Sequence, residues 1–349
     1  MADGQNANTG WSSYLAVGRE VTFKTYNTCT AGIDFLSFSM KTIKESKALE
    51  AVRASRTMVD RIGLGKSVEG DCEWNVGADH DASQFILQNA FGGGVIVTAS
   101  ATGDTVGAGV CDHTYSINGF DATYSSLCLN VRKGDATNGK IFEYSGVRVN
   151  ELSLKAEIDE PLIATASFIA VDSSLTSNNV AAAMTNTGQT PLNFTGMRFS
   201  VENSFASLTS SSYWHVQSIE WKLANNLKAD AESRRIGSDV LQVLPPGLAM
   251  FELSVTMRFD TTTAYAAMLN ETELSAQLMF EGPTLSGSVL KQFIRIGLPR
   301  VYIKDAGDPE IGGPDEILQA SVSFLVMQQE TASGYAAKMI TRNKTASYA

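Results

Sequence analysis

Residues 159–171 read DEPLIATASFIAV, and residues 315–327 read DEILQASVSFLVM. Set one above the other, the two stretches carry the same Asp, Glu, Leu, Ala, Ser and Phe in register, ending with Phe168 and Phe324. Apolar and polar residues alternate in both stretches, which predicts a β-strand with one buried face. Self-similarity of this kind predicts a fold unit that occurs twice in the chain.

A second match lies upstream, at a larger separation along the chain. The segment LSFSM at 36–40 falls on IEWKL at 219–223, apolar on apolar and polar on polar. At the same separation, VEGDCEWNV at 68–76 falls on FELSVTMRF at 251–259, whose strict alternation predicts a half-buried strand. No gap is needed between these matches, so we expect each copy to contain a strand, a long loop and a second strand.

The two loops, at 41–67 and 224–250, are equal in length and rich in Lys, Arg, Gly and Ser. Ordered loops longer than about 12–15 residues are uncommon and usually functional, so both are predicted to make contacts. A short helix is predicted after each second strand, capped by Asp79 or Asp81 in the first copy and by Thr262 in the second. Its expected buried positions, at helical spacing, are Ala82, Phe85, Ile86, Tyr265, Met268 and Leu269.

The domain boundaries follow from the two matches. The separation between matching residues is smaller at the repeated stretch than upstream, so the first copy is expected to hold extra residues somewhere between 88 and 158. The predicted domains are 1–172, a first module with an N-terminal arm, and 192–349, a second module, joined by a polar, turn-forming linker at 173–191. A length of 349 residues fits two domains of roughly 100–200 residues each.

The composition narrows the class of protein. Hydrophobic residues make up 44% of the chain and charged residues 18%, which is typical of globular proteins. A net charge of −10 and a pI near 4.9 mean that the surface repels nucleic-acid phosphates on average, so tight DNA binding is not expected. The N-terminus lacks the features of a signal peptide, and no run of about 18 apolar residues occurs, so we expect neither export by that route nor a membrane span.

Motifs for catalysis, cofactors or metals are not readable in the sequence. The four cysteines are scattered without a CxxC pair, which predicts reduced thiols rather than a zinc site. GLGKS at 63–67 is similar to the end of a phosphate-binding loop, but Asp60 stands where its first glycine should be. Neighbouring residues in Asp79-His80-Asp81 and Cys111-Asp112-His113 point in different directions, so neither set is expected to face one ion or one reacting atom. We therefore predict no enzyme, no cofactor and no metal.

Segments along the whole chain, taken in order, resemble the tail tube (major tail) proteins of long-tailed bacteriophages, in the type that carries two tube modules. The resemblance spans residues 10–345. The segments that carry it include GWSSYLAVGREVTF (10–23), SFSMKTI (37–43), VRASRTM (52–58), VEGDCEWNV (68–76), AFGGG (90–94), DHT (112–114), YSGVRVNELSLKAEIDEPLIATASFIA (144–170), VQSIEWKLANNL (216–227), GLAMFELSVTMRFDTTTAY (247–265), IRIGLPRVYIKD (294–305) and GGPDEILQASVSFLVM (312–327).

The resemblance implies a mainly β fold of two tandem β-sandwich or half-barrel modules, each with one short flanking helix and a long loop that reaches a neighbouring ring. It implies a structural virion protein of the phage tail, assembled in the host cytoplasm. Stacked rings of this chain would form a hollow tube that contacts other tail proteins and carries viral DNA through its lumen without binding it specifically. Since single-module relatives form rings of six, three two-module chains would build a pseudo-sixfold ring, and a ring of six chains is the alternative.

Two sets of charged residues are candidates for these contacts. Arg53, Arg56, Arg234 and Arg235 lie at comparable places in the two long loops and are candidates for contacts between rings. Glu73, Glu252 and Asp260 lie on polar strand faces and are candidates for a lumen of the same charge as DNA. An ordinary solvated face explains these carboxylates equally well.

The alternative function is that of a tandem β-sandwich module that binds carbohydrate or mediates adhesion on a virion, because exposed Trp and Tyr rings stack on sugars. Trp74 and Trp221 occupy inward positions of alternating strands, which disfavours this alternative and leaves only Trp11 and Trp214 to be placed. A hydrolase on the same scaffold is third, because it would need a constellation of carboxylates or histidines.

Overall fold

The fold is described here from a computed structural model of the chain. The residues described are 10–49, 60–93, 96–99, 109–117, 125–135, 139–181, 184, 190–208, 213–259, 263–307, 318–330 and 334–345. The chain is mainly β, as predicted, and every pairing among the described strands is antiparallel.

The first half of the chain contains eleven described strands and one α-helix. They are β1 Tyr14–Arg19, β2 Ala31–Ile33, β3 Phe35–Phe38, β4 Lys41–Ala48, β5 Arg61–Asn75, α1 Asp81–Ala90, β6 Ile96–Ala99, β7 Cys111–Ser116, β8 Leu127–Lys133, β9 Lys140–Glu157, β10 Ile163–Ala170 and β11 Asp172–Thr176.

The second half contains seven described strands and one α-helix. They are β12 Met197–Glu202, β13 Val216–Ala224, β14 Met250–Arg258, α2 Thr263–Leu269, β15 Leu274–Thr284, β16 Lys291–Ala306, β17 Gln319–Val326 and β18 Lys338–Asn343. Short 3-10 turns lie at Gly10–Ser12, Phe194–Gly196, Phe205–Ser207 and Ala231–Ser233.

Strand pairing in the second half follows the same order as in the first. In the first half β5 pairs with β3 and β10, β10 pairs with β9, and β9 pairs with β8, which pairs with β1. In the second half β14 pairs with β13 and β17, β17 pairs with β16, and β16 pairs with β15, which pairs with β12. The long strands β9 and β16 also pair with β11 and β18, respectively, and β9 pairs in addition with β13 of the second half.

The registers of these pairs also agree. Ile163 of β10 lies opposite Asn75 of β5, and Gln319 of β17 lies opposite Arg258 of β14. The sequence comparison matches Ile163 with Gln319 and Asn75 with Arg258, so the strand pairing agrees with both sequence matches. A β-bulge interrupts the β9 and β10 ladder next to Phe168 and the β16 and β17 ladder at the corresponding Phe324. Since a bulge bends a strand at a fixed point, the bend falls at the same position in both halves.

The domain boundaries 1–172, 173–191 and 192–349 remain a prediction. Most of β11 lies within the predicted linker, where it pairs with β9 of the first half. The beginning of the linker is therefore a strand of the first half.

One predicted match is displaced along its strand. The sequence comparison places Phe38 on Trp221, but the pairing places Phe38 opposite Cys72 and Ile219 opposite Val255. Since Cys72 and Val255 are equivalent, Phe38 corresponds to Ile219. The strand pattern could not reveal this, because side chains alternate with a period of two and a slip of two positions leaves every side chain on its original face.

The two long loops adopt different conformations. In the first copy most of the predicted loop is a β-hairpin, in which β4 pairs with an extended β5. In the second copy residues 225–249 run irregularly apart from the turn Ala231–Ser233. Pro245 and Pro246 disfavour a matching hairpin in the second copy, because proline has no backbone N–H to donate to a strand ladder. The segment 63–67 lies within β5, so it is a strand and not a phosphate-binding turn.

The extra residues of the first copy include a two-stranded insertion. β6 and β7 lie between α1 and β8, whereas β15 follows α2 after a short turn in the second half. β7 pairs with β6 on one side and with β18 on the other. Arg342 of β18 donates to both carboxylate oxygens of Asp112 on β7, at 2.7 and 2.8 Å, so the insertion is tied to the second half.

Helix α1 is packed between β9 and the strands β1 and β2. The residue before its first turn is His80, so the prediction that Asp79 or Asp81 caps it is wrong. The His80 ring lies 3.0 Å from Ser83 Oγ and 2.8 Å from Gly32 O, and both partners are buried. The middle residue of the Asp79-His80-Asp81 motif is therefore a core residue held by hydrogen bonds.

Helix α2 is less buried than α1. It packs on β16 and leaves Leu269 64% and Tyr265 40% exposed, so the prediction that these two are buried is wrong. Met268 is half-buried against the core, and Thr262, the predicted cap, lies outside the described residues.

The largest hydrophobic core cluster spans both halves. Its bulkiest fully buried side chains include Trp74, Trp221, Phe168, Phe199 and Phe280. Phe168 and its counterpart Phe324 are both buried, which confirms the inward positions predicted for the repeated stretch.

Candidate assembly interface

The seam between the two halves is an antiparallel pairing of β9 with β13. Trp221 lies opposite Leu154 and Leu223 opposite Leu152, and all four side chains are buried. The Trp221 ring also stacks on Phe91, just after α1, with ring centroids 6.1 Å apart and an interplanar angle of 8°. The seam therefore joins β5, β10, β9, β13, β14, β17 and the end of β16 into one ladder, called the main ladder below.

Charged residues pair on the outer face of the seam. Lys222 Nζ lies 2.8 Å from Glu151 Oε2, and this hydrogen bond raises the pKa of Lys222. Glu151 lies directly opposite Ala224, so Lys222 reaches it along the diagonal of the ladder. Lys222 also lies opposite Glu252 on its other side, and the charge of this second carboxylate also raises the pKa of Lys222.

Asn225 holds the end of the seam with buried hydrogen bonds. Its Nδ2 donates to Ala90 O at 2.9 Å and to Val149 O at 3.0 Å, and its backbone N donates to Asn150 O at 2.7 Å. Leu227 N donates to the side-chain oxygen of Asn150 at 2.9 Å. One buried amide therefore joins the end of α1 to both strands of the seam, and sequence analysis missed it because an Asn after a strand is an ordinary turn signal.

The main ladder has two open ends among the described residues. At one end, β3 and β4 pair with β5 alone, and Leu36 and Ile43 are 54% and 37% exposed. At the other end, the C-terminal part of β16 pairs with β17 on one side only. Ala306 N there donates to Met268 Sδ at 3.3 Å, and a thioether is a weak acceptor.

The outer face of the main ladder is polar and predominantly acidic. Residues directly opposite one another in an antiparallel ladder share a face, and on this basis Glu73 and Glu252 lie on one continuous face. Glu73 accepts a hydrogen bond from Ser37 Oγ at 3.3 Å, and Asp260 lies outside the described residues. The described acidic residues of that face are Glu69, Asp71, Glu73, Glu151, Glu157, Glu220, Glu252 and Asp305, and the described basic residues are Lys41, Arg148, Lys155, Lys222 and Arg258.

The two segments predicted as long loops touch each other. Arg234 donates to Asp239 O at 2.8 Å and to Lys66 O at 3.0 Å, while Lys44 Nζ lies 3.2 Å from Asp239 Oδ2. Arg234 therefore joins the β4 and β5 hairpin to the segment 228–247, a contact that the sequence did not predict. Of the other three candidate arginines, Arg235 is exposed, and Arg53 and Arg56 lie outside the described residues.

The tryptophans that bear on carbohydrate binding are mostly engaged in packing. Trp74 and Trp221 are both fully buried, as predicted. Trp214 is half-buried, with its ring centroid 5.9 Å from that of Phe199 and 6.3 Å from that of Phe324. The side chain of Trp11 lies outside the described part of the chain.

Within the described ranges, His, Cys, Asp and Glu side chains nowhere gather in a group of three or more that could hold a metal ion. None of the helices that the structure describes has the length and apolar character needed to cross a membrane.

Comparison with protein families gives a match over most of the chain. A family model described as "Phage tail tube protein" matches residues 10–326, which is nearly the whole chain. No curated protein matches the chain.

Proposed function

The chain belongs to the phage tail tube protein family, and from this premise we propose that its copies form stacked rings that build the hollow tail tube through which viral DNA passes at ejection. It is a structural component of the virion. On this proposal the chain is assembled in the host cytoplasm, it contacts other tail proteins, and it acts without catalysis.

The observation that carries the proposal is the seam. An open-ended antiparallel ladder with exposed edge strands invites further pairing, and natural proteins close or cover such edges. Here β13 pairs with one edge of β9 within the chain, while the corresponding edges of β4 and β16 pair with no strand among the described residues. Head-to-tail contacts that close form a ring, and closure removes both open edges at once.

The proposed ring contains three chains, each contributing two similar units. The corresponding pairings and registers of the two halves support this count, because six similar units can then surround one lumen. A ring of six chains is the alternative, and it would put twice as many ladders around the lumen.

The acidic face of the main ladder is proposed to line the lumen. Glu73 and Glu252 lie on that face, and Asp260 is proposed to lie there too. The excess of carboxylates over basic side chains among the described residues of this face supports the assignment. A lumen of the same charge as DNA lets the duplex move with few sticking points.

The hairpin of β4 and β5, together with the segment 228–247, is proposed to reach the next ring. Exposed ion pairs from Arg53, Arg56, Arg234 or Arg235 would each contribute only about 0.2–1 kcal/mol. Exposed apolar groups that lie close together mark contact surfaces, so ring stacking is expected to depend mainly on their burial. The apolar side chains of these segments and their flank offer such area: Ile62 is 50%, Leu64 43%, Ile236 fully and Leu248 81% exposed.

Electron microscopy of the purified protein, combined with mass measurement in solution, tests this function. Rings or tubes with a channel of duplex-DNA width are expected. A monomer that persists at high concentration and binds glycans would favour the adhesion module instead.

A further inference from the structure

The internal seam of β13 with β9 provides a template for a contact between two copies of the chain. The equivalences between the halves are fixed by the pairing, in which Lys222 opposite Glu252 corresponds to Lys41 opposite Glu69. Likewise, the pair of Glu151 with Ser167 corresponds to the pair of Asp305 with Ser323, each beside the shared bulge. These equivalences match the residues of β13 in the seam to residues of β4, and the residues of β9 in the seam to residues at the end of β16.

We infer that β4 of one copy pairs with the end of β16 in the next copy, in the register of the β13 and β9 seam. The inference rests on the proposed ring and adds its register and partner residues. It puts Ile43 opposite Asp305, Thr42 opposite Ala306 and Lys41 opposite Gly307. These pairs reproduce, in the same order, Ala224 opposite Glu151, Leu223 opposite Leu152 and Lys222 opposite Ser153.

The charges agree with that register. Lys222 bonds Glu151 across the internal seam at 2.8 Å, and the corresponding pair between copies is Lys41 with Asp305. Both of these side chains are exposed, and neither forms an ion pair with another described residue. The register therefore gives each charge a partner of opposite sign, on the same diagonal as in the internal seam.

The hydrogen-bonding groups at the edge also fit. In the seam Leu152, the counterpart of Ala306, lies within a strand ladder. In the free edge the Ala306 N–H is held by the weakly accepting sulfur of Met268. A backbone carbonyl of an incoming strand is a stronger acceptor, so pairing replaces a poor hydrogen bond with a good one.

Charge reversal tests the ion pair. The single variants Lys41→Glu and Asp305→Lys are expected to raise the concentration needed for assembly by about 3- to 30-fold, because each replaces one attractive exposed pair with a repulsive one. The double variant is expected to restore assembly to near the original level, and the single-variant defects should shrink in high salt. Lys140→Glu, an exposed reversal at the start of β9, is the matched control and should assemble normally.

Cysteine pairs test the register directly, and the four native cysteines give little background because all are buried. Ile43→Cys combined with Asp305→Cys should crosslink between chains under mild oxidation, as should Lys41→Cys combined with Gly307→Cys. Ile43→Cys combined with Gly307→Cys is out of register, and its Cα atoms would lie about 7–8 Å apart, too far for an unstrained disulfide.

The outcomes separate the inference from the proposed function. If the original protein forms rings but the single reversals assemble normally, or the out-of-register pair crosslinks best, then the register is wrong and the ring proposal stands. If the original protein forms no ring under any condition, the proposed function is wrong, and the inferred register is wrong with it.

Discussion

The buried amide of Asn225 gives a sharp prediction about how the two halves are joined. Asn225→Ala removes both Nδ2 hydrogen bonds, to Ala90 O and Val149 O, at a position that is 1% exposed. Each neutral hydrogen bond contributes about 0.5–1.5 kcal/mol net, and a buried carbonyl left without a donor costs about 1–3 kcal/mol. These two costs overlap, so we expect a loss of about 2–4 kcal/mol in the free energy of unfolding.

Asn225→Asp should be worse at neutral pH, because it turns a carboxylate oxygen toward two carbonyl oxygens in a buried site. The defect of this variant should shrink as the pH falls and the carboxyl becomes protonated, since a protonated acid can donate one hydrogen bond. Asn27→Ala is the matched control: its amide also donates to a backbone carbonyl, Arg19 O at 3.1 Å, but the residue is exposed. The control should lose less than about 0.5 kcal/mol.

The assay is urea unfolding of the unassembled chain at low, constant protein concentration, followed by tryptophan fluorescence. Trp221 is a suitable reporter because it is buried in the seam beside Phe91. A shift of the urea midpoint for Asn225→Ala no larger than that of Asn27→Ala would refute the role assigned to this amide.

Three further predictions concern stability and thiol access. Gly70→Ala should destabilise the chain by about 1–3 kcal/mol, because a Cβ there would lie 2.3 Å from Met40 Cα. Gly63→Ala on the same strand is the control, since its Cβ would meet only Lys44 Cε at 3.8 Å. Equal urea midpoints for the two variants would contradict this prediction. Burial lowers the pKa of His80 and His113, so the unfolded chain binds more protons at these two sites and their contribution to stability should fall as the pH drops from 7 toward 5. Glu20 and Asp79, whose pKa burial raises, contribute in the opposite direction, so the fall should be partly offset; a urea midpoint that rises across that window would contradict the histidine effect. All four cysteines should resist a thiol reagent in the native chain and react after denaturation, because all are buried and burial raises the pKa of Cys72 to about 12. Rapid reaction of the native chain with the reagent would disprove their burial.

The strands and their buried faces were predictable because alternation reports burial directly. Residues 251–259 alternate strictly, and Phe251, Leu253, Val255 and Met257 are all buried. The exact equivalence of β3 with β13 was not predictable, because a slip by two positions leaves the alternation unchanged. The bulges that fix the register are single extra residues without a sequence signature here.

The extent of the insertion in the first copy was hidden for a related reason. Pairing relates Asn75 to Arg258 and Leu129 to Ala276, so the intervening segment is 76–128 in the first half and only 259–275 in the second. Later segments are longer in the second copy, which partly offsets the insertion before the repeated stretch is reached. The sequence comparison showed only the net difference between these changes.

The candidate site was only partly accessible from the sequence. The acidic residues Glu73 and Glu252 were predictable as polar strand positions, but their place on one face depends on the β9 and β13 pairing. Lys41 and Asp305 carry no local signal, since their relation follows only from the corresponding pair in the internal seam. The different conformations of the two long loops did have a signal, in the adjacent prolines of the second copy.

The measurement that tests the central claim most directly is the mass of one isolated ring, obtained by native mass spectrometry of the Ile43→Cys and Asp305→Cys double variant after oxidation. Three chains of 37.4 kDa should give a covalently closed species of about 112 kDa, with no larger crosslinked product. A ladder that continues to six chains, or a chain that remains a 37.4 kDa monomer, would contradict a ring of three two-unit chains.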